Sequence, residues 1–443
     1  MKHILVLLSL FILTTGPSAM SESIFPYRYS KNVLPNGLTV IIIPMESPGL
    51  VAYYSIVRTG SRDEVEKGKS GFAHFFEHMM FRGTEKYPGP VYDSIVTSIG
   101  ADANAYTTDD YTAYHLNFAK EDLGTVVDLE SDRFQNLSYS KPVFQTEAGA
   151  VYGEYRKSIT NPYSVLNEKM QDLAFDVHTY KHTTIGFERD IKAMPEAFEY
   201  SKTFFQRFYR PDNVVLLITG DVDTEQTMDL VRNHYGQWKP GYVPPNIVPE
   251  PAQKAERSAE VQYSGKTLPI IDIAYKGDAF DPSNRDYVAA LLLSDLAFGK
   301  TSDLYKKLVI KEQKAQFIAS SFPMNRDRPL FEIYSMVKKH QFLDYVRDEV
   351  YSTIERFQTV PVDEQRLNEL KRRNKYSFLM DLDTPDNVAG NLARLVAVTG
   401  DIETVEALYR QFQTITVQDI MGAAQKYFNP ERRTVVLLKG ARS

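Results

Sequence analysis

Residues 236–251, GQWKPGYVPPNIVPEP, restrict the fold of this chain more than any other stretch, because five of their sixteen positions are proline. Each proline removes a backbone donor and fixes φ, so the stretch can hold neither a helix nor a central strand. It reads as a linker between two parts of similar length, and 443 residues exceeds what one ordinary core holds. The two parts repeat one another in outline. FYRPDNVVLLITG (208–220) resembles YFNPERRTVVLLKG (427–440), each with an aromatic residue, a proline and an apolar strand in the same order, at an offset near 219. An offset near half the chain, with a linker midway, points to duplication of one unit.

Within the first unit, LPNGLTVIII (34–43) and VAYYSIVRTG (51–60) read as strands. Helical patterns cover about Ser70 to Arg82 and Val91 to Ile99. DANAYTTDDYTAYHLNF (102–118) then reads as a hairpin turning at Asp109-Asp110, followed by helices over about 121–137 and 143–158 and a strand over 213–220. Strands in pairs with helices between them predict an α+β fold. The expected arrangement is two similar duplicated domains, residues 24–235 and 254–443, each a mainly antiparallel sheet packed with helices, joined by 236–253. Residues 1–20 have a basic start at Lys2, an apolar run from Ile4 to Leu13 and small residues after it, the order of a secretory signal peptide too short to span a bilayer. An exported protein without a stable membrane anchor is expected, periplasmic in a Gram-negative cell. A net charge of -6 with no basic stripe gives no support to a nucleic-acid partner. The chain has no cysteine, so any transition metal must be held by His, Asp or Glu.

GFAHFFEHMMF, residues 71–81, places two of the chain's eight histidines and a glutamate within five positions. With Ser70 as N-cap and Gly83 as stop, a helix here sets Phe72, Phe75, Phe76, Met79 and Met80 at i, i+3, i+4, i+7 and i+8, an apolar stripe for the core. His74, Glu77 and His78 take the opposite face. Histidines at i and i+4 stand one turn apart, so both imidazoles can reach one ion at about 2.1 Å, and neutral imidazole suits Zn²⁺. Glu77 is better placed to hold a water than to ligate, in the order His-x-x-Glu-His. Chance can group such residues on a polar helix face, so the motif needs a third ligand. PVFQTEAGAVYGEYRKS (142–158) offers Glu147 and Glu154, seven residues apart on one face of a helix that starts at Pro142. Gly149 and Gly153 each cost about 1 kcal/mol of helix propensity, which suggests close approach of another backbone. Either carboxylate would complete a His₂Glu site with one open position. His178 and His182 also stand at i and i+4, but without a neighbouring acid they read as ordinary core or surface residues, as do His115 and His234.

SGFAHFFEHMMFRGTEKYP (70–88) resembles the zinc-helix block of the pitrilysin/insulinase family of metallopeptidases, and Glu154 stands 76 positions after His78, as that family's third ligand does. The resemblance implies one zinc ion held by His74, His78 and Glu154. It makes Glu77 the general base and Glu147 a catalytic glutamate supporting the ligands. ANAYTTDDYTAY (103–114) resembles the family's substrate-binding edge strand, so Asn104, Ala105 and Tyr106 are expected to face an extended peptide substrate. Over both halves the resemblance implies a duplicated α+β fold. One departure stands out. Active single-unit members carry an Arg and, seven residues on, a Tyr in their second half, whereas LVIKEQKAQF (308–317) offers Val309 and Gln316. AALLLSDLAFGK (289–300), the counterpart of the zinc helix, has no histidine. The implied partner is a paralogous chain that supplies the Arg and Tyr in a heterodimer. Other readings are a homodimer, or substitution by Arg326 or Arg328. The rival classes are a non-catalytic scaffold or peptide-binding subunit, and a metal-storage protein.

Overall fold

Eleven strands form two sheets in the computed structural model, which describes residues 23–441; the segment read as a signal peptide, 1–20, lies outside the described residues. The first sheet uses β1 (Ser30–Val33), β2 (Thr39–Pro44), β3 (Leu50–Val57), β4 (Asp102–Thr107), β5 (Thr112–Ala119) and β6 (Val214–Gly220) in the order β1-β2-β6-β3-β5-β4. The second uses β7 (Arg257–Gln262), β8 (Ile270–Lys276), β9 (Ala315–Ser321), β10 (Leu330–Val337) and β11 (Arg433–Lys439) in the order β7-β11-β8-β10-β9. Without β1 the two orders match strand for strand. The parallel pair β2–β6 answers the parallel pair β7–β11, and the other pairs are antiparallel. The duplication read from the sequence is therefore a duplication of topology, in an α+β fold.

Six helices build the candidate site or join the two halves: α1 (Phe72–Met79), α2 (Lys141–Ser158), α3 (Pro162–Ala174), α4 (Phe198–Phe208), α5 (Arg285–Phe298) and α6 (Pro385–Thr399). β3 is buried on both faces. Val51, Tyr53 and Val57 join the core that contains α1 and α4, while Ala52, Tyr54 and Ile56 join the core that contains α5 and α6. Period-2 alternation would leave one face polar; here both are apolar because helices cover both. The cover on the second face comes from the other half of the chain. α6 lies on β3 and β6, fastened by Tyr54 Oη donating to Asp386 (2.7 Å), Thr219 Oγ1 donating to the Pro385 carbonyl (2.7 Å) and Arg58 Nε donating to the Ala397 carbonyl (2.8 Å). In return α3 lies on the second sheet, where Leu166, Met170 and Ala174 pack with Ile270, Ala274, Val436 and Leu438. Each half thus lends one helix to the sheet of the other.

Polar groups seal the same junction. Asp110 accepts from Tyr180 Oη (2.8 Å) and from the Arg326 amide (3.0 Å), and Asp327 meets Arg62 Nε at 2.5 Å and His178 Nε2 at 3.1 Å. His178 and His182, read as ordinary residues, are both buried here, and His178 ties the halves together.

Candidate metal centre

The helix that carries the two histidines begins one residue later than expected. Ser70 is not its cap: the Ser70 hydroxyl donates to Asp190 (2.6 Å) and accepts from the Phe187 amide (2.9 Å). Glu64 takes that role. One carboxylate oxygen accepts from the Gly71 amide and the other from the Ala73 amide, both at 2.6 Å, satisfying two of the donors a helix start leaves open. Gly71 is required there, since its φ is +92° and a Cβ would lie 2.5 Å from the Ile185 carbonyl oxygen. The chain then runs through a short 3₁₀ turn, Met80–Arg82, and stops at Gly83, also at φ +92°, as expected. Phe72, Phe75, Phe76, Met79 and Met80 are all buried.

α2 crosses this helix with Glu147 and Glu154 facing it. Lys141 and Pro142 open it after Ser140, so the proline is second rather than first in the helix. The expected backbone approach at Gly149 and Gly153 is absent among the described residues: both are exposed, and a Cβ at either would meet none of them within 4 Å. Nothing in the structure explains glycine at these two positions.

His74 Nε2 lies 3.5 Å and His78 Nε2 3.4 Å from the same oxygen, Glu154 Oε2, and the three donor atoms all fall within 4.8 Å of one another. A tetrahedral zinc site with ligands at about 2.1 Å holds its ligand atoms roughly 3.4 Å apart, so the spacing and the N, N, O donor set both suit Zn²⁺. Burial pushes the His74 imidazole down, favouring the neutral form a ligand requires, and its Nδ1 is a buried atom without a hydrogen-bond partner among the described residues. His78 differs. Hydrogen bonds to Glu147 and then to Glu154 push it up to about 9, and the same contacts hold both carboxyls below the usual carboxylate range. Its Nδ1 faces Glu147 Oε1 at 3.1 Å, which fixes the ring with Nε2 turned to Glu154. Arg82, one turn past His78, holds Glu147 in turn, with Nε 2.8 Å from Oε2 and Nη2 3.3 Å from Oε1.

Glu77 stands apart from the three donor atoms. Its Oε2 accepts from Thr107 Oγ1 at 2.6 Å, and its other oxygen has no hydrogen-bond partner among the described residues. Thr107 ends β4, the exposed edge strand of the first sheet. Along β4, Ala103 and Ala105 pack towards the core that contains α1, whereas Tyr106 packs into the core on the opposite face. Tyr106 can therefore face an added strand with its backbone only. Asn104 is exposed, its side chain accepting from the Ala105 amide (2.8 Å). Three residues that support the site went unread in the sequence: Thr107, Arg82 and Glu64. Arg82 had a local signal, the i+4 spacing from His78; the other two depend on the fold.

In the second half α5 occupies the position of α1 without a histidine. Val309 is partly buried against the second core, and Gln316 is exposed on β9 at the edge of its sheet. Arg326 is held at the junction by the Arg58 carbonyl (3.0 Å), and Arg328 lies on the surface 3.9 Å from Asp278.

Two family profiles match the chain: "Insulinase (Peptidase family M16)" over residues 50–187 and "Peptidase M16 inactive domain" over residues 198–374. The chain is similar to the zinc protease PqqE of Helicobacter pylori, with 29% identity covering 99% of this chain and 98% of that protein. It is also similar to the β subunit of the mitochondrial-processing peptidase of Saccharomyces cerevisiae, with 25% identity covering 91% and 89%. Among solved structures, a protease from Helicobacter pylori matches with a TM-score of 0.88 at 28% identity, covering 93% of this chain and 99% of that one.

Proposed function

Because the chain belongs to the insulinase/pitrilysin (M16) family of peptidases, we propose that it is a zinc metalloendopeptidase that hydrolyses extended peptides or unfolded segments. The observation that carries this reading is the meeting of His74, His78 and Glu154, drawn from two helices, with Glu77 on the histidine helix held outside that trio by Thr107. Bound by those three side chains, Zn²⁺ would polarise the scissile carbonyl and bring the pKa of water to about 7. Glu77, oriented by Thr107, takes a proton from the attacking water and delivers it to the leaving amine. Glu147, clamped by Arg82, holds the His78 ring in register. A peptide lying along β4 gains main-chain hydrogen bonds beside Asn104, Ala105 and Tyr106 with little selection by side chains, which favours extended substrates over folded ones.

Residues 24–235 form the zinc-binding unit in this reading, 254–443 its counterpart without ligands, and 236–253 the link. The counterpart lacks the Arg and Tyr of active single-unit relatives, so the chain works with a second, related chain that supplies them, as a two-chain clamshell. Two observations support this: Val309 and Gln316 stand in their places, and of the arginines nearest in sequence Arg326 is engaged by the Arg58 carbonyl and Arg328 lies on the surface beside Asp278. The relative from yeast is itself named as a subunit. The amino-terminal segment supports export to the periplasm.

The second reading is a non-catalytic subunit of the same fold, favoured by the family's inactive-domain profile over residues 198–374. Against it, a scaffold has no use for three converging donors and a free glutamate. The test is zinc content and cleavage of a quenched peptide, by the chain with its co-purifying partner. Stoichiometric zinc with hydrolysis, and a Glu77→Gln variant that keeps zinc but loses activity by about a hundredfold or more, supports the enzyme. Zinc without cleavage in the assembled complex supports the scaffold.

A further inference from the structure

On the side of α1 that faces away from the ligands, a cavity of about 610 Å³ opens between the loop before α2, the end of α4 and the start of the proline-rich stretch. Its lining carries three cations, Lys202, Arg210 and Lys239, and no carboxylate. That is a local reversal on a chain of net charge -6. Lys202 reaches Glu199 at 3.4 Å outside the lining, whereas Arg210 and Lys239 have no carboxylate within 4 Å among the described residues. The floor is aromatic, formed by Phe205, Tyr209 and the chain's one tryptophan, Trp238. Cations around an aromatic floor, in a space of this size, suit a small ligand with an apolar body and an anionic head.

Residues of the cavity wall pack in turn against both helices of the metal centre. Phe76 of α1 stacks on Phe205, and Tyr209 Oη pairs with Tyr114 Oη (2.6 Å), which in turn bonds the Phe76 carbonyl (3.1 Å). The Ser138 amide in its wall donates to the carbonyl of Gly83, where α1 stops. Tyr139, the next wall residue, stacks on Phe144 in the first turns of α2. A body seated here rests on side chains that themselves pack against the back of the helix with His74 and His78 and the first turns of the helix with Glu154.

We propose that this cavity binds a small organic anion, a phosphate or carboxylate on an apolar body, and that its occupancy is linked to the metal centre through α1 and α2. Linkage is reciprocal, so zinc must change the anion's affinity by the factor with which the anion changes zinc's.

Trp238 reports binding by its emission, independently of any peptidase activity. Phenyl phosphate and benzoate, titrated separately into the full chain, distinguish the two head groups, with benzyl alcohol as the uncharged control. We expect a saturable change for at least one anion and none for benzyl alcohol. The double variant Arg210→Glu with Lys239→Glu should weaken it at least tenfold. The dissociation constant should differ at least threefold between zinc-loaded and zinc-stripped protein. No saturable change with either anion, an equal response to benzyl alcohol, or an unaltered response in the variant overturns the site. Equal constants in the two zinc states overturn the linkage.

Discussion

Thr107 joins two functions in one hydroxyl: it ends the edge strand β4 and donates at 2.6 Å to the Glu77 carboxylate. Thr107→Val should lower kcat roughly ten- to hundredfold, the worth of one hydrogen bond to a charged group, with KM and zinc content unchanged. Thr107→Ser should restore kcat. A variant that lost zinc in parallel would instead make Thr107 a purely structural support. Glu147 belongs to the same scale. It holds His78 Nδ1 and is itself held by Arg82, so Glu147→Ala should weaken zinc binding by roughly ten- to a hundredfold, measured by competition with a chelator. His74, His78 and Glu77 were legible in the sequence because a helix of known pitch fixes which side chains share a face. Glu154 was legible only as one of two carboxylates until its distance from His78 was set against the family pattern. Thr107 and Glu64 were not legible at all, since each acts on a residue brought to it by the fold, 30 and 7 to 9 positions away.

The elements show where local rules hold and where packing overrides them. Gly83 stopped the helix as its φ of +92° demands, and the hairpin of β4 and β5 turned where the paired aspartates suggested. Gly149 and Gly153 did not mark a close crossing: a glycine's cost in a helix says that something is gained or tolerated, not what. The hairpin turn has a pH signature. Burial, reinforced by neighbouring Asp109, pushes the Asp110 carboxyl up to about 7, against about 3.9 in an unfolded chain. The fold thus favours the protonated form. Its contribution is complete below about pH 4 and is lost as pH rises through 7. Between pH 5 and 8 the melting temperature of the wild-type chain should fall more steeply than that of Asp110→Asn. Parallel slopes in the two proteins would show that the junction does not carry the proton.

At the scale of the whole molecule, the proline-rich stretch separates the halves in sequence but the helices do not respect it. α3 and α6 are exchanged between the sheets, and burying large apolar side chains such as Leu166 and Met170 contributes about 1.5–3 kcal/mol each. A specific protease site inserted after Pro245, once cut, should leave two fragments that co-elute on gel filtration and part only in denaturant. Fragments that separated in buffer would deny the exchange its strength. The duplication was legible from one strand repeated at an offset of 219; the exchange was not, because nothing in the pattern of α3 or α6 says which sheet will receive it. The same crossing of helices bears on how a peptide gets in. Prising one half from the other would strip cover from both sheets at once, a cost that opposes opening within the chain. If this chain works with a second one, as proposed, the gate that admits substrate to the donors on α1 and α2 lies at the border between the two molecules rather than within either half.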